Sequence, residues 1–400
     1  MQGTKQHGQF ATSPPATYYC RRFELADPAR YPIGTRVQVT NALPDEIADY
    51  VRIDDNGAAR WSGVDKGSNG FLDRSKTTMD FDNATRTLTV SPTGSDFVLR
   101  SSRRDFRFSS LSLQISDVEG THFVYLDSDG ALAELLAFDE RIITEWAFVS
   151  EIYWDAGAKV GILVADERHG AQLEGDDHLA RHRALGAQLD RSNRSAVFDI
   201  TGGAGSPNGN GSIDSHAQVS FADGQIYDED LRLRSVDAPQ VLSPIAQLPV
   251  YYLDGPNWRM KPADNFPLVQ SGALGHDGVT PIYTGASGRC AYNPISGGEG
   301  ALVEVSNNDY FCVHIAAING LRNRVASFLG HQIYLTAPAA EAGVPEELKT
   351  LYTIGLPTLE WVWLYTLAFQ TGAYGNAVAA RIVSSTSDLA LDWRNVARLP

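Results

Sequence analysis

The 400-residue chain is 43% hydrophobic and 10% aromatic, which is enough for packed cores and excludes an intrinsically disordered protein. Its formal net charge of -15 disfavours a nucleic-acid groove and docking on anionic lipid, because both need clustered Lys and Arg. The length favours two or three domains. We therefore expect an acidic, soluble protein without a nucleic-acid partner.

The cysteines and the N-terminus bear on where the protein is made. Cys20, Cys290 and Cys312 have no metal-ligand spacing, so no disulfide framework is expected, with a Cys290–Cys312 bridge left as an open alternative. The first residues lack a basic-then-apolar signal pattern, and no apolar run approaches the roughly 20 residues that span a bilayer. This predicts synthesis in a cytoplasm without export and no membrane insertion.

Residues 1–75 are predicted to form a small β segment. The stretches IGTRVQVTN, ADYVRID and AARWSG alternate apolar and polar residues, and an Asp-Asn-Gly turn separates the last two. Alternation over short runs between turn signals is typical of strands. We expect this segment to be a β-rich anchoring arm or domain.

Residues 76–201 are predicted to form a central β-rich module with a short helix. MDFDNATRTLTVSP and THFVYLDSDG read as strands, and WAFVSEIYWDAGAKVGILV as a strong hairpin. The DSDG sequence at 127–130 is interpreted as a hairpin turn rather than a calcium loop. Residues 131–142 fit either a helix or a strand followed by a short helix. The acids early in LEGDDHLARHRALGAQL predict a helix.

The rest of the chain is predicted to be mainly β. The run GGAGSPNGNGS opens a Gly-rich connection with strands at 202–237, a flexible connection or a long turn. Short strands divided by Gly-rich turns at 238–400 favour a β-sandwich or jelly-roll-like domain. VPEELKTLYTIG is predicted to be a helix with Pro345 in its first turn.

The stretch DERHGAQLEGDDHLARH, residues 166–182, is the strongest candidate for chemistry. His178 and His182 are four apart, so a helix would present both on one side, and His169 with Glu167 could complete a metal site. The glutamate that follows the first histidine of a metalloprotease helix is missing. The preferred interpretation is therefore structural: paired charges at a strand end and histidines at a helix surface or subunit contact. No metal, cofactor or catalytic residue is expected.

A second candidate is a carbohydrate-stacking surface formed by aromatic and arginine side chains in the loop-rich C-terminal part. Its members are Trp258, Arg259, Tyr283, Arg289 and Tyr292. Aromatic rings offer flat apolar faces to a sugar, although such rings more often pack on their own strands. Nucleophile elbows, phosphate-cradling loops and dinucleotide fingerprints are absent from the sequence, and the Asp and Glu pairs fall on predicted turns. The sequence therefore predicts no enzyme.

Several phrases of the chain resemble a family of tailed-bacteriophage virion proteins, described as tail fibre or tail-associated proteins. They are, in order, FDNATRTLTVSPTG, EGTHFVYLDSDGAL, AFVSEIYWDAGAKVGILVADERHG, HLARH, IYDEDL, LPVYYLDGPNWRMK, YFCVHIAAINGL, LPTLEWVWLYTLAFQT and ARIVSSTSDLALDWR. The resemblance covers about residues 78–394. The segment before it would then be specialised for attachment to a particular virion.

The resemblance implies a β-rich, homotrimeric virion component that is assembled in the host cytoplasm. Its partners would be copies of itself, other tail or virion proteins and host surface glycan. A head-attached fibre or capsid decoration protein is the first alternative. A virion-borne polysaccharide depolymerase is the less favoured one, because no acidic pair flanking a sugar-sized groove is evident in the sequence.

Overall fold

The computed structural model describes residues 68–190, 197–269 and 288–394, and before them the backbone of four strands. These four strands form one sheet in chain order, with the first pair parallel and the others antiparallel. Their bounds are β1 (Thr17–Cys20), β2 (Arg36–Val39), β3 (Asp49–Asp55) and β4 (Ala58–Gly63). The prediction of strands in this segment is confirmed, whereas its anchoring role stays a prediction.

The central part of the chain folds into three small antiparallel sheets around one core. The strand orders are β10-β7-β6, β5-β8-β9 and β12-β11-β13-β14. The strands are β5 (Gly70–Phe71), β6 (Thr77–Asp82), β7 (Thr87–Pro92), β8 (Phe97–Ser101), β9 (Arg104–Phe108), β10 (Leu111–Gln114), β11 (Gly120–Leu126), β12 (Leu132–Leu135), β13 (Ala147–Asp155) and β14 (Val160–Val164). Alternate residues of β6 are buried, as expected for a strand with one face on a core, while all nine residues of β13 are buried.

Two helices flank β13 and β14. They are α1 (Arg141–Thr144) and α2 (Gly175–Ala184). The predicted hairpin β13–β14 and the predicted helix at 175–184 are confirmed, and the ambiguous stretch 131–142 contains strand β12 and the start of α1. The DSDG turn is confirmed as a hairpin turn, because the Asp127 amide donates to the Ala131 carbonyl between β11 and β12.

Short strands connect this part to a larger sheet. They pair in the orders β15-β18-β19 and β16-β17. Their bounds are β15 (Gln188–Leu189), β16 (Ile200–Gly202), β17 (Val219–Phe221), β18 (Gln225–Asp228) and β19 (Leu231–Arg234). The Gly-rich loop after β16 is a long turn packed on its neighbours: the Asn208 amide donates to the Ile382 carbonyl, and Arg381 Nη1 donates to the Gly209 carbonyl.

The C-terminal part is built on one seven-stranded sheet, in the order β21-β20-β27-β26-β28-β29 with β30 also paired to β28. All pairs are antiparallel except β20–β27. The elements are β20 (Leu248–Asp254), β21 (Asn257–Asp264), β22 (Ala291–Tyr292), β23 (Ile295–Ser296), β24 (Glu299–Gly300), β25 (Val303–Glu304), β26 (Tyr310–Ile318), β27 (Val325–Tyr334), α3 (Ala337–Ile354), β28 (Trp361–Thr371), β29 (Ala380–Val383) and β30 (Leu391–Asp392).

Both faces of this sheet are covered, as strand β26 shows. Phe311, Val313 and Ile315 point into the largest core, which they share with residues of β17, β18 and β19. Cys312 points to the opposite face, where it packs against α3. The alternation follows from the two-residue repeat of a strand, so the central strand is apolar on both faces apart from His314, which is hydrogen-bonded to Glu347.

The prediction of a mainly β chain is confirmed, with three corrections of detail. Helix α3 begins eight residues before Pro345, because the Thr336 hydroxyl caps it by accepting the Ala339 amide; Pro345 lies inside the helix. Cys290 and Cys312 are both buried and free, so the alternative of a bridge between them is wrong. The expectation that the paired acids lie on turns is wrong for Asp228, which ends strand β18, whereas Glu229 and Asp230 do form the turn that follows. Among the described residues, no helix is long and apolar enough to cross a membrane.

Candidate functional site

A buried cluster of histidines and carboxylates lies where four parts of the chain meet. Three histidines and five of its six acids have side chains almost completely removed from solvent, and the sixth acid, Asp230, is partly exposed. The members are Glu151 of β13, Glu167 and His169 after β14, His178 and His182 of α2, Asp228, Glu229 and Asp230 between β18 and β19, and Glu360 before β28.

Helix α2 presents both of its histidines to the interior. Asp176 and Asp177 in its first turn interact favourably with the helix dipole, and the spacing of four places His178 and His182 on one side. The His182 ring stacks on Phe138 at 5.9 Å and meets Phe148 edge-on at 6.2 Å between centroids. The expectation that these histidines lie at a helix surface is therefore wrong: they are only 5% and 4% exposed. The buried face of this helix is made of imidazoles rather than aliphatic side chains.

His169 is held at a strand end by its backbone and by one ring nitrogen. Its carbonyl accepts the Phe71 amide, and Nδ1 lies 2.7 Å from Asp230 Oδ1. The second oxygen of Asp230 accepts the Gly170 amide, which fixes the carboxylate in place. Because Asp230 accepts the Nδ1 proton, Nε2 faces the cluster, 3.2 Å from Glu167 Oε2 and 3.3 Å from Glu229 Oε2.

The turn between β18 and β19 carries three consecutive acids. Asp228 pairs with Leu231 in the sheet, so Glu229 and Asp230 are the two turn residues. Glu229 has φ of 45°, a left-handed conformation that a hairpin turn usually assigns to Gly or Asn. Its carboxylate reaches both helix histidines, with Oε2 3.9 Å from His178 Nε2 and Oε1 3.6 Å from His182 Nδ1.

An asparagine and a threonine hold the acids of the cluster in place by hydrogen bonds. The Asn319 amide donates to Glu167 Oε1 at 2.7 Å and to Asp228 Oδ2 at 3.2 Å. The Thr358 hydroxyl donates to the side-chain oxygen Oδ1 of Asn319 and accepts the backbone amide of Glu360. Glu360 Oε1 is then 3.0 Å from His182 Nδ1. The loop after β26, which carries Asn319, and the loop before β28, which carries Thr358 and Glu360, therefore form one side of the cluster, opposite the histidines of α2.

Negative charge dominates the cluster and shifts its proton affinities in opposite directions. Burial raises the pKa of Glu151 to about 8, with the neighbouring Glu167 adding to the effect, and burial raises the pKa of Asp228 well above its usual range. Burial alone would lower the pKa of His169, but hydrogen bonds to Asp230 and Glu167 raise it to about 10. Burial and the nearby His169 lower the pKa of His178 to about 3. The neighbouring acids thus raise the pKa values of Glu151, Asp228 and His169, whereas His178 responds to burial and to His169.

The donor atoms fall into three sets whose members lie within 4.8 Å of one another. The sets are Glu167, His169 and Asp228; His169, His178 and Glu229; and His182, Glu229 and Glu360. The three histidines, which the sequence grouped as one metal-site alternative, are divided between two sides of Glu229. Imidazole and carboxylate donors at such distances are suited to a divalent transition metal.

The sequence did not indicate Glu151, Asp228, Glu229, Asp230 or Glu360 as site residues. A signal existed for the turn: three acids in a row occupy a position where a tight hairpin favours Gly or Asn. Glu360, which stands alone before the apolar run WVWLYTLAF, was a weaker signal.

The residues proposed for carbohydrate stacking do not form an exposed platform in the described part of the chain. The Trp258 ring is 6% exposed, packs edge-on against Phe328 and donates through Nε1 to the Gly355 carbonyl. Arg259 Nη1 pairs with Glu119 at 2.5 Å, and Arg289 pairs with Glu304. Tyr292 is half-buried against the main core. Tyr283 lies outside the described residues.

A cavity of about 360 Å³ lies beside His182 and opens between α2, α3 and β28. Its aromatic wall consists of Tyr352, Trp361, Trp363 and Trp393. Tyr352 is 64% exposed and lies 6.2 Å from the Trp361 ring, between centroids. This cavity, rather than the loops around Trp258, offers aromatic faces to a ligand.

Comparisons of the chain with protein-family models, with curated proteins and with solved structures found no match.

Proposed function

We propose that the chain is a structural component of a tailed-phage virion, most simply a tail fibre, tail-tip or adaptor protein. The observation that carries the proposal is the ordered series of family-like phrases between residues 78 and 394. Many coincide with whole elements: EGTHFVYLDSDGAL spans β11 and its turn, and AFVSEIYWDAGAKVGILVADERHG spans the β13–β14 hairpin and the corner that follows. The mainly β architecture supports the same proposal.

The burial of the acid cluster supports a structural role over hydrolysis of a polysaccharide. A glycosidase needs two carboxyl groups on opposite sides of a bond in a groove that admits the sugar. Here Glu151, Glu167 and Glu360 are at most 5% exposed, so a sugar chain has no access to them. A depolymerase is therefore the less favoured alternative, and a head-attached fibre or decoration protein remains the closest one.

The aromatic cavity beside His182 favours host-surface glycan as a second partner. Tryptophan and tyrosine faces stack on the apolar faces of sugar rings, and their polar edges tolerate the wet rim of such a site. Trp361 and Trp363 are two apart on β28, so both project to the same side. Glycan binding would be measured by calorimetry with host polysaccharide, and Trp361→Ala should weaken it at least about tenfold, with Trp146→Ala as a control outside the cavity.

Localisation in the virion tests the main proposal directly. Purified particles should contain the chain, and a particle map with an antibody against residues 1–75 should place it on the tail. Label on the head would favour the alternative, and particles without the chain would overturn the proposal. Light scattering should give the mass of a trimer, and host polysaccharide incubated with the protein should keep its length.

A further inference from the structure

We propose that the buried cluster binds two divalent transition-metal ions next to each other, bridged by the carboxylate of Glu229. The inference is independent of the proposed virion function, because it concerns only the donors gathered between α2, the β18–β19 turn and the loop before β28.

Unpartnered buried atoms are concentrated in this cluster. Within the described residues, the buried side-chain atoms without a hydrogen-bond partner include His178 Nε2, His182 Nδ1, Asp228 Oδ1 and both carboxylate oxygens of Glu229 and Glu360. These side chains are at most 6% exposed. A buried polar atom without a partner is costly, and a buried charge more so, which is why such groups in proteins are paired or bind metals. All five residues that carry these atoms belong to the three donor sets described above.

The distances between the donors fit ligands of a shared ion better than hydrogen bonds. Donor atoms bound about 2.1 Å from a tetrahedral zinc ion are about 3.4 Å from one another. The measured separations around Glu229 are 3.3 Å to His169, 3.9 Å to His178 and 3.6 Å to His182. His182 and Glu360 are 3.0 Å apart, yet His182 Nδ1 and Glu360 Oε1 have no hydrogen-bond partner.

The geometry gives two ions rather than one or three. His169 Nε2 belongs to two of the three donor sets, and one imidazole nitrogen has a single lone pair, so those sets describe one ion. That ion has His169, His178 and Glu229 as its central donors, with Glu167 and Asp228 in reach. The second ion has His182, Glu360 and the other oxygen of Glu229. Glu229 is shared by both, which assigns it the bridging position.

The residues around the proposed ligands fix their orientation, as is usual at metal sites in proteins. Metal-binding histidines commonly donate their second nitrogen to a carboxylate, which fixes the ring and its tautomer. Asp230 does this for His169, and Asn319 holds Glu167 and Asp228 by hydrogen bonds. The recorded ion pairs of Glu167, Glu229 and Glu360 are all with histidines, so no Lys or Arg in the described chain pairs with them. Two dications would balance four carboxylates: Glu167, Asp228, Glu229 and Glu360.

The donor set also restricts the metal. Imidazole nitrogens with carboxylate oxygens suit Zn²⁺, Mn²⁺, Fe²⁺ or Co²⁺, whereas Ca²⁺ and Mg²⁺ prefer oxygen donors alone. Neither of the two cysteines whose side chains the structure describes takes part, because Cys290 and Cys312 are buried in other cores.

Metal content of the full chain, purified without a histidine tag, tests the inference. The protein would be dialysed separately against Zn²⁺, Mn²⁺ and Co²⁺, freed of excess ion and analysed by plasma mass spectrometry; the Co²⁺ form would also be followed by its visible absorption. We expect about two ions per wild-type chain, about one in His178→Ala and in His182→Ala, and fewer than about 0.2 in Glu229→Gln.

Glu347→Gln is the matched control, since it alters another buried His–Glu pair and should keep about two ions. Circular dichroism would establish that each variant is folded. Folded wild-type protein that retains fewer than about 0.2 ions with all three metals would overturn the inference, whatever the variants do. So would an ion content that Glu229→Gln leaves unchanged, which would show adventitious binding only. A single ion, lost equally in the His178 and His182 variants, would overturn the two-ion arrangement.

Discussion

Within the described part of the chain, two buried groups that combine histidines with glutamate differ in how they stabilise buried charge. In the first, between α3 and the large sheet, Glu347 accepts from His314 Nε2 at 2.9 Å, from the Tyr334 hydroxyl at 2.6 Å and from the His331 amide at 3.1 Å. In the second, Glu229 and Glu360 face three histidines without one hydrogen bond to their oxygens.

The difference lies in the ratio of acids to donors. One carboxylate with three donors is satisfied by the protein itself, and His314 is held further by Thr366, which also accepts from Trp393. In the second group Asn319 donates to Glu167 and Asp228, but the oxygens of Glu229 and Glu360 accept no hydrogen bond. The Glu347 carboxylate is therefore satisfied within the chain, whereas Glu229 and Glu360 are left without hydrogen-bond donors, which is the place that the proposed ions would fill.

Removal of metal should have the largest effect on thermal stability, and it should act only through the cluster around Glu229. Each ion bound at a thousandfold excess over its dissociation constant contributes about 4 kcal/mol, so chelation of both removes about 8 kcal/mol and should lower the Tm of this 400-residue chain by on the order of 10 °C. Calorimetry before and after chelation, with metal content measured in parallel, checks this. If the protein is shown to have lost its ions and its Tm does not change, the cluster around Glu229 does not depend on metal for stability and does not differ in this respect from the group around Glu347.

Glu347→Ala should destabilise the first group without affecting metal content. It leaves His314, Tyr334 and the His331 amide without their shared acceptor, and loss of one partner from a buried charged pair costs about 3–5 kcal/mol. Urea denaturation measures the loss. Glu346→Ala, at a neighbouring exposed carboxylate, is the control and should change the free energy of unfolding by less than about 0.5 kcal/mol.

Glu360→Gln should have opposite effects on the metal-free and metal-loaded protein. Without metal it removes a buried acid whose oxygens accept no hydrogen bond and whose recorded ion pair is with His182 alone, in a cluster with more acids than bases, and should raise the free energy of unfolding by about 2 kcal/mol. With metal it removes a ligand and should lower it. Denaturation of both forms gives the two signs, and a loss of stability in the metal-free form would contradict our account of the cluster.

Tyr334→Phe should have the smallest effect. Its hydroxyl donates to Glu347 Oε1, but the tyrosine is only half-buried, so water can replace part of the bond and the cost should be about 1 kcal/mol. Tyr352→Phe, at an exposed tyrosine, serves as the comparison in the same urea titration. An equal change in both variants would show that Glu347 does not depend on this donor.

The pattern of apolar and polar residues predicted helices and strands well in stretches where it follows either the strand repeat or the helix repeat throughout. The β13–β14 hairpin and α2 were found because apolar runs, a turn and early acids agree over short stretches. Helix α3 was placed too late because Pro345 suits a first turn, while the true cap at Thr336 precedes a run of small residues with a weaker pattern.

The candidate site was only half visible in the sequence. His169, His178 and His182 are close along the chain, and their spacing was noticed. Their burial was missed because the turn at 228–230 and Glu360, which close the cluster, are distant in sequence and paired with the histidines only by tertiary folding. The periodicity of apolar residues within a short stretch of sequence carries no information on contacts between residues that are distant along the chain.

The wide separation of Glu151 and Glu360 along the chain bears on how the protein is made. A ribosome that has produced α2 and the β18–β19 turn has still to synthesise more than a hundred residues before Glu360 follows. The cluster can therefore be complete only after Glu360 has been synthesised, and a chain that stops earlier lacks one wall of it. Ion capture would thus distinguish finished copies from fragments before they enter a larger assembly.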